Sequence, residues 1–425
     1  MNNRTSRHNW RLILVQGLFY SLKRRLAPPK IFLPFICVAA GAPVFLAAVI
    51  VPLFTVATRS SEVLSAPLVS GAQRRKSYAM IGIGCIAVGL VIAIVSIYVK
   101  VPLVTAACLA GAAIVIGIGR GISGIAYTSL LPSLFDREIR GRLLNLEGIL
   151  SAIAALLIAL AAYHVFKDSD PLRSHMALAW LALLVAIPAA VLLFPVNEPD
   201  RAVAAGGPAP ESGGAATVGP ARGGALQRFR LCWGDAWFRK YMTARILLLS
   251  VTQAMPFYAI HAASLHKHQS GSYAAFVVAM SVGAILSGPV LHKLANRSVG
   301  TNLAAAIFFA MLAAAFALVI DVAVPASELK FYHYVPVFVL AALAAQVATV
   351  SLAVYLGEIG SDHDREFYVA TGRFASGVLG TVVAVVLGVL AQMHNEAIPI
   401  AIILCINAIA FVFVLKSLGT RTGEG

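Results

Sequence analysis

Ten apolar runs, each close to twenty residues long, follow one another along the chain, near 78–98, 103–130, 144–164, 175–195, 241–262, 273–292, 302–320, 334–357, 371–392 and 397–416. At about 1.5 Å of rise per residue, such a run is the length of α-helix that crosses roughly 30 Å of hydrocarbon. Lipid offers backbone N–H and C=O groups no partners, so a spanning segment must satisfy them internally and folds as a helix. Composition agrees: 60% of the 425 residues are hydrophobic and 12% charged, where soluble domains carry roughly 25% charged. A water-soluble globular protein is excluded. So is a soluble enzyme with one anchor, because the apolar runs fill the whole length. The expected fold class is an all-α polytopic membrane protein.

The net charge of +15 does not point to nucleic acid. A nucleic-acid binder gathers its cations on one soluble surface, whereas these sit in short connectors between apolar runs. Cys37, Cys85, Cys108 and Cys405 lie inside apolar stretches and Cys232 in a polar connector, which makes neither a disulfide framework nor a zinc-ligand spacing. The basic start, Met1 to Arg11, leads into Lys23, Arg24 and Arg25 with no small-residue cleavage site, so no cleaved signal peptide is expected.

Residues 11–68 admit two readings. They hold either one span preceded by a surface helix, or a two-span hairpin turning at Gly41-Ala42-Pro43. Charge asymmetry decides between them. Connectors 59–77 (Arg59, Arg74, Arg75, Lys76), 131–143 (Arg137, Arg140, Arg142), 197–240 and 293–301 are basic, and the alternating ones near 99–102, 165–174 and 321–333 are short or charge-balanced. The basic set is therefore expected in the cytoplasm. Two spans before residue 59 bring the basic N-terminus to that side as well, giving twelve spans with both termini cytoplasmic.

An internal repeat supports twelve. Asp136-Arg137-Glu138-Ile139 recurs as Asp364-Arg365-Glu366-Phe367, an offset of 228 positions, and spans of the two halves fall into register under the same shift. The division expected is residues 1–196 as an N-terminal six-helix bundle, 197–240 as a cytoplasmic linker, and 241–425 as a C-terminal six-helix bundle. Within the linker, 197–224 is rich in Gly, Ala and Pro and reads as flexible chain. In 225–240, Leu226, Phe229, Trp233 and Trp237 recur at helical spacing opposite Arg228, Arg230, Arg239 and Lys240. That pattern reads as an amphipathic helix on the inner leaflet or on the protein's own cytoplasmic face.

Twelve spans in two halves, a central linker and basic 2–3 and 8–9 connectors resemble the major facilitator superfamily of secondary transporters. The family's 2–3 loop usually reads Gly-x-Leu-Ala-Asp-Arg-x-Gly-Arg-Arg-Lys; here it is Ala66-Pro67-Leu68-Val69-Ser70-Gly71-Ala72-Gln73-Arg74-Arg75-Lys76, with Ser70 for the Asp. The second copy, Leu294 to Gly300, keeps Arg297 and has Asn296 where Asp is usual. The resemblance implies a gating role at most for Arg74, Arg75, Asn296, Arg297 and the repeated Asp136, Arg137, Asp364 and Arg365. Arg120 with Gly124 is similar to the family's Arg-x-x-x-Gly on the fourth span. The stretch Gly119-Arg120-Gly121-Ile122-Ser123-Gly124 also matches a dinucleotide fingerprint. It has no preceding strand, and Gly117, Gly121 and Gly124 are better explained by close helix packing.

A guanidinium inside a span is costly and should face a polar cavity. Under the repeat shift, Lys23, Arg24, Arg25 and Lys30 fall opposite Val251, Thr252, Gln253 and Tyr258, in the middle of the seventh span. In the resembling family that span lines the central cavity with spans one, four and ten. Lys23, Arg24, Arg25 and Arg120 are therefore candidates for a basic site, with Gln253, Tyr258, Gln346 and Tyr355 as polar candidates on the other cavity helices, beside Gln16, Tyr20, Thr349 and Ser351. The competing reading makes residues 8–28 a basic surface helix on anionic lipid. Acidic partners look scarce: Glu62 and Glu147 read as lying toward cytoplasmic ends, Asp321 and Glu328 toward the outside, and none as standing mid-span. His261, His266 and His268 cluster at the outer end of the seventh span without the spacing of one helical face, so no metal site is expected.

No Walker loop, metal motif or nucleophile constellation occurs. No catalytic residue and no cofactor is expected, and the chain reads as a non-enzyme. The function expected is alternating-access transport of a small solute, anionic or amphiphilic, in a bacterial inner membrane, by a monomer in contact with lipid and a coupling ion. The alternatives are a multidrug or lipid exporter, which the missing Gly-Pro-rich antiporter run in 144–161 weakens, and a non-transporting member that binds lipid or assembles other membrane proteins.

Overall fold

A computed structural model describes residues 3–70, 72–99, 101–135, 137–166, 168, 171–198, 233–234, 236–266, 269, 272–294, 298–325, 328–357, 362–393 and 397–418. Among these residues the chain folds into helices joined by short turns, with no strand. The helices are α1 (Asn3–Leu26), α2 (Pro29–Ala39), α3 (Val44–Ser70), α4 (Arg75–Ser96), α5 (Pro102–Leu134), α6 (Arg137–Phe166), α7 (Pro171–Val191), α8 (Ala236–Leu247), α9 (Leu249–His266), α10 (Ser272–Leu294), α11 (Val299–Ala323), α12 (Phe331–Gly357), α13 (Asp362–Met393) and α14 (Ile398–Leu418). Two spans are broken, α1 with α2 and α8 with α9, so the fourteen helices among the described residues are consistent with twelve spans. Ten stretches are long and apolar enough to cross a membrane by themselves. The first span is interrupted by its own charges and prolines, and the apolar part of α7 covers only His175–Val191.

The hairpin reading of residues 11–68 holds. α2 ends in a turn where Gly41 takes φ +81, a left-handed conformation that a side chain would strain, and α3 starts at Val44. Two boundaries differ from expectation. α3 does not stop at Arg59 but continues to Ser70, which puts Arg59 and Glu62 within the helix. The surface helix read over 225–240 falls mostly outside the described residues; its last turn, from Ala236, is the start of α8 and so of the seventh span.

The break in the first span follows from Pro28-Pro29. Neither proline has an N–H for the carbonyl one turn back, and Pro28 sits in extended conformation, φ −66 and ψ 115. The repeat shift brings Pro256, inside α9, opposite Pro28.

α5 is gripped between two neighbours through its glycines. A Cβ on Gly121 would lie 2.6 Å from the Thr58 carbonyl of α3, and one on Gly119 would lie 2.8 Å from Cys85 Cβ of α4. Close backbone approach of this kind is how helices associate where lipid removes the hydrophobic incentive. Gly117 packs on α3 in the same way, while Gly124 faces open space and so departs from the packing role expected of it.

Among the described residues the halves share a core at one end. At the end that carries the basic connectors, each half has its own core, Ile13, Val69, Ile83, Leu130 and Leu193 in one and Leu248, Leu303, Ile307, Val347 and Val414 in the other. At the far end one core is shared, joining Phe32, Phe35 and Ile36 to Tyr258, Tyr273, Phe276, Tyr334 and Phe338. The seam runs along α2 on α9, α3 on α13 and α6 on α10. At its far rim the Phe45 N–H donates to Gln392 Oε1 at 2.9 Å.

Candidate functional site

The last turn of α1 carries Lys23, Arg24 and Arg25, a position where the negative end of the helix dipole favours cations. Successive residues of a helix point about 100° apart, so the three go to different places. Lys23 is buried at 4% exposure, with its Nζ 4.5 Å above the Tyr20 ring and no hydrogen-bond partner among the described residues. Arg24 turns to a cavity of about 30 Å³ that it lines with Tyr20, Lys23, Pro29, Ile116 and Arg120. That volume holds one or two waters. Arg120, from α5, also lies 5.6 Å over the Phe54 ring.

Two further cations join this group. Lys30, at the start of α2, is within electrostatic reach of Arg120 and Arg59. Arg59 is paired with Glu62 one turn on, at 2.7 Å. Lys23, Arg24, Lys30, Arg59 and Arg120 thus gather around the proline break. Tyr20 braces it, its hydroxyl sharing a hydrogen bond with Ser123 Oγ at 3.1 Å and its ring stacked on Tyr127 at 6.0 Å. Sequence reasoning missed Arg59 because it was read as a connector. The signal was Glu62 three positions on, an i,i+3 partner that only a continuing helix provides.

Arg25 is directed away, to α6. Its Nε donates to Ser151 Oγ at 3.1 Å and its Nη2 to the Gly148 carbonyl at 3.3 Å. Beside it stands Glu147, 5% exposed, which accepts from Ser21 Oγ at 2.5 Å and from the Tyr127 hydroxyl at 3.3 Å. Arg24 and Arg25 are both within its electrostatic reach. Glu147 is the second residue of the apolar stretch Leu146–Phe166, toward the basic end of the span as expected. α6 begins at Arg137, so Glu147 lies about 15 Å along it. Gly17 of α1 leaves the room: a Cβ there would lie 2.6 Å from Glu147 Cδ. The surface-helix alternative for residues 8–28 also fails, since α1 packs between α6 and α7, with Gln16 Nε2 donating to the Ala189 carbonyl at 3.1 Å.

The candidates of the second half are not among the residues lining this cavity. Gln253 and Tyr258 are buried in α9 at 7% and 0%, with Gln253 Oε1 and the Tyr258 hydroxyl lacking partners among the described residues. Gln346 is exposed on α12, Thr349 bonds back to the Ala345 carbonyl, and the side chain of Tyr355 lies outside the described residues.

Of the gating candidates, Arg74 is the exposed residue preceding α4. Arg75 donates from Nη1 to the Ser129 carbonyl at 2.5 Å, and the Arg75 and Lys76 N–H groups donate to the Glu198 carboxylate at 2.9 and 3.2 Å. Lys76 Nζ in turn donates to the Phe194 and Val196 carbonyls at 2.8 and 2.7 Å, just beyond α7. Glu198 thus sits at the positive end of α4, and Lys76 at the negative end of α7. The carboxylate missing at Ser70 is supplied from the end of the sixth span, and the tie stays within one half. Glu198→Gln should cost about 1 kcal/mol in an unfolding titration, an effect shrinking in high salt. Asp136, Asn296 and Arg297 lie outside the described residues, as do the side chains of Arg137, Asp364 and Arg365, of His266, and all of His268. Among the described residues no group of three His, Cys, Asp or Glu side chains is placed to hold a metal.

No protein-family model matches the chain. Over 414 residues it is 26% identical to an uncharacterised protein of Mycobacterium tuberculosis and to one of Mycobacterium bovis, covering 97% of this chain and 77% of theirs. Among solved structures it is similar to a variant of the nucleoside transporter NupG, with TM-score 0.68 at 13% identity over 95% of this chain and 99% of that one. It is also similar to a D-xylose-proton symporter, with TM-score 0.68 at 13% identity over 96% and 97%. A third likeness is to a bacterial homologue of the iron transporter ferroportin in an inward-facing state, with TM-score 0.63 at 13% identity over 96% and 98%. At these identities the likeness establishes the fold. The chain is an integral membrane protein with the fold of the major facilitator superfamily.

Proposed function

We propose that the chain is a secondary transporter, not an enzyme, that carries a small anionic solute or the anionic part of an amphiphile across the membrane by alternating access. The observation that carries this reading is the gathering of Lys23, Arg24, Lys30, Arg59 and Arg120 around a proline break inside a span. Of these Lys23 is buried, Lys30, Arg59 and Arg120 are partly buried and Arg24 is exposed; cations inside a span in excess of carboxylates are expensive unless an anion or water answers them. Discontinuous helices at the junction of two repeats are where transporters of this architecture hold their ligands. The structures it resembles are described as a nucleoside transporter, a D-xylose-proton symporter and a bacterial homologue of the iron transporter ferroportin, which supports transport as the class and leaves the solute to the site chemistry.

With the basic end in the cytoplasm of a bacterial inner membrane, the seam closes the outer end and the cavity faces inward. In this reading the termini are cytoplasmic, the transporter works as a monomer in contact with lipid, and a gradient supplies the energy. The test is thermal stabilisation of the purified protein by a panel of anionic, neutral and cationic metabolites, beside Arg24→Gln/Arg120→Gln. A ligand at 100 times its Kd stabilises by about 2.7 kcal/mol. Anions should stabilise selectively and the variant should need at least roughly tenfold more ligand, which is about 1.4 kcal/mol of affinity. No anion preference, or one that the variant keeps, sinks the anionic site. Flux of the stabilising solute into vesicles then separates a carrier from a member that only binds.

A further inference from the structure

We propose that His261 is the proton-binding site that couples this transporter to a proton gradient, bridging a carboxylate at the far surface and a hydroxyl in the seam between the halves. The inference rests on the transport reading above but concerns a different site, in the C-terminal half. His261 is 1% exposed. Its Nδ1 lies 2.9 Å from the Tyr334 hydroxyl and its Nε2 lies 3.3 Å from Asp321 Oδ1. Asp321 stands near the end of α11 with its side chain 29% exposed. Tyr334 is buried, its ring 6.2 Å from that of Phe276, which is 6.1 Å from Phe35 of the other half. A contact chain therefore runs from the far surface through Asp321, His261, Tyr334 and Phe276 to Phe35, across the seam that must part if the far end opens.

An ionised carboxylate only accepts, so in the neutral ring Nε2 carries its hydrogen toward Asp321 and Nδ1 accepts from the Tyr334 hydroxyl. A proton arriving from the far aqueous side forms an N–H bond at Nδ1. Both ring nitrogens then donate, and the Tyr334 oxygen becomes an acceptor and turns its own hydrogen away. Tyr258, three residues back along α9, interacts electrostatically with Tyr334 and buries a hydroxyl that has no partner among the described residues. The proton leaves Nδ1 when the opposite end is open, restoring the first arrangement, so no other bond is made or broken.

The helices packed on α9 present few other titratable groups. Asp321 comes from α11 and Tyr334 from α12, where His333 is engaged by the Lys330 N–H in the first turn. α2 carries Lys30, which faces Arg120 and Arg59; α3 carries the Arg59–Glu62 pair; α14 carries Cys405, exposed, and Lys416 at its basic end. α8 carries Arg245, bound to Tyr241 and Ser376, and the charged residues of α13 fall between Asp362 and Arg373, in its first half. An imidazole titrates near neutrality. Its charge is costly in the closed apolar seam and hydrated once the seam parts, so protonation favours the open far end.

The test reads that opening without any solute. The full chain, with its native cysteines replaced by alanine, carries spin labels on Tyr98→Cys and Tyr332→Cys, exposed residues at the far ends of the two halves, and is placed in lipid nanodiscs from pH 8 to pH 5. The long-distance population should rise as pH falls, with a midpoint at about 6–7. His261→Gln should abolish that response and His333→Gln should keep it. Asp321→Asn leaves the ring in place and removes the carboxylate at its Nε2, so the midpoint should move; this variant decides the matter if His261→Gln does not fold. A response that survives His261→Gln, a midpoint unmoved by Asp321→Asn, or a wild-type distance that ignores pH overturns the proposal. Solute flux in vesicles is a separate readout, and its absence would count against the transport reading.

Discussion

Gly388→Leu is expected to prise the far end of the molecule open. Gly388 of α13 faces Ala48 of α3 across the seam, and a Cβ there would overlap the Ala48 methyl, with the Ala48 Cα behind it at 3.7 Å. Ala48 is 2% exposed and has no rotamer to move. Overpacking of this kind costs about 1–3 kcal/mol, borne by the closed seam and relieved once the halves part. A difference of that size moves an equilibrium between two states by about 5–150-fold. The label pair on Tyr98→Cys and Tyr332→Cys should therefore report long distances at neutral pH. Gly388→Ala should show a smaller shift of the same sign, and adding Ala48→Gly to Gly388→Ala should restore the short distance. Unchanged distances in Gly388→Leu would mean that this seam is not a gate. The Phe45 to Gln392 hydrogen bond, in the same contact, should be lost with the opening.

Removing Glu147 should damage the protein more than removing any single cation of the cavity. Its carboxylate takes hydrogen bonds from Ser21 and Tyr127 and answers the charge of Arg25 within a packed helix interface. Leaving the buried Ser21 and Tyr127 hydroxyls without their acceptor costs about 1–3 kcal/mol each, a large share of the roughly 5–15 kcal/mol that holds a folded protein together. Glu147→Leu should therefore unfold far below wild type in a denaturant titration. Glu147→Gln, which keeps the acceptor and loses the charge, should cost about 1.5–3 kcal/mol. The specific claim is the coupling: Glu147→Gln combined with Arg25→Gln should lose less than the sum of the two, by about 1 kcal/mol or more. Strict additivity would mean that the two do not act as a pair. Gly17→Ala supplies an independent check, because its methyl would displace the carboxylate without altering any charge.

Hydropathy made the spans legible because the requirement is local: twenty apolar residues in a row need no knowledge of their neighbours. The turn at Gly41 and the break at Pro28-Pro29 were readable for a similar reason, since proline and glycine act on their own backbone. The errors came where a helix outlasts its apolar stretch. Arg59 and Glu62 on α3, and Arg137 to Arg142 on α6, looked like connectors because they are charged. In a helix that rises beyond the hydrocarbon or lines a polar seam, charge does not end the hydrogen-bond ladder. Reading the basic cluster as one unit was a further error of the same origin, because adjacent residues of a helix face different neighbours. Arg24 and Arg25 therefore part company, one toward the cavity it lines with Arg120 and the other to Ser151 and the Gly148 carbonyl.

The amino-acid sequence by itself determined an integral membrane protein of two repeated six-span halves, with its cations set apart in alternate connectors and in the first span. These are consequences of segment length, local backbone chemistry and the cost of charge in lipid, all of which act along the chain. Only the tertiary structure decided which groups meet. Ser21 reaches Glu147 across 126 positions, Arg75 reaches Glu198 across 123, and His261 reaches Asp321 across 60. A side chain's direction repeats every 3.6 residues, but its partner depends on how whole helices are rotated and shifted against each other. Packing sets that rotation through Gly119, Gly121 and Gly388 and through the aromatic rings shared at the far end, and it is this packing that turns scattered charges into a cavity and a seam.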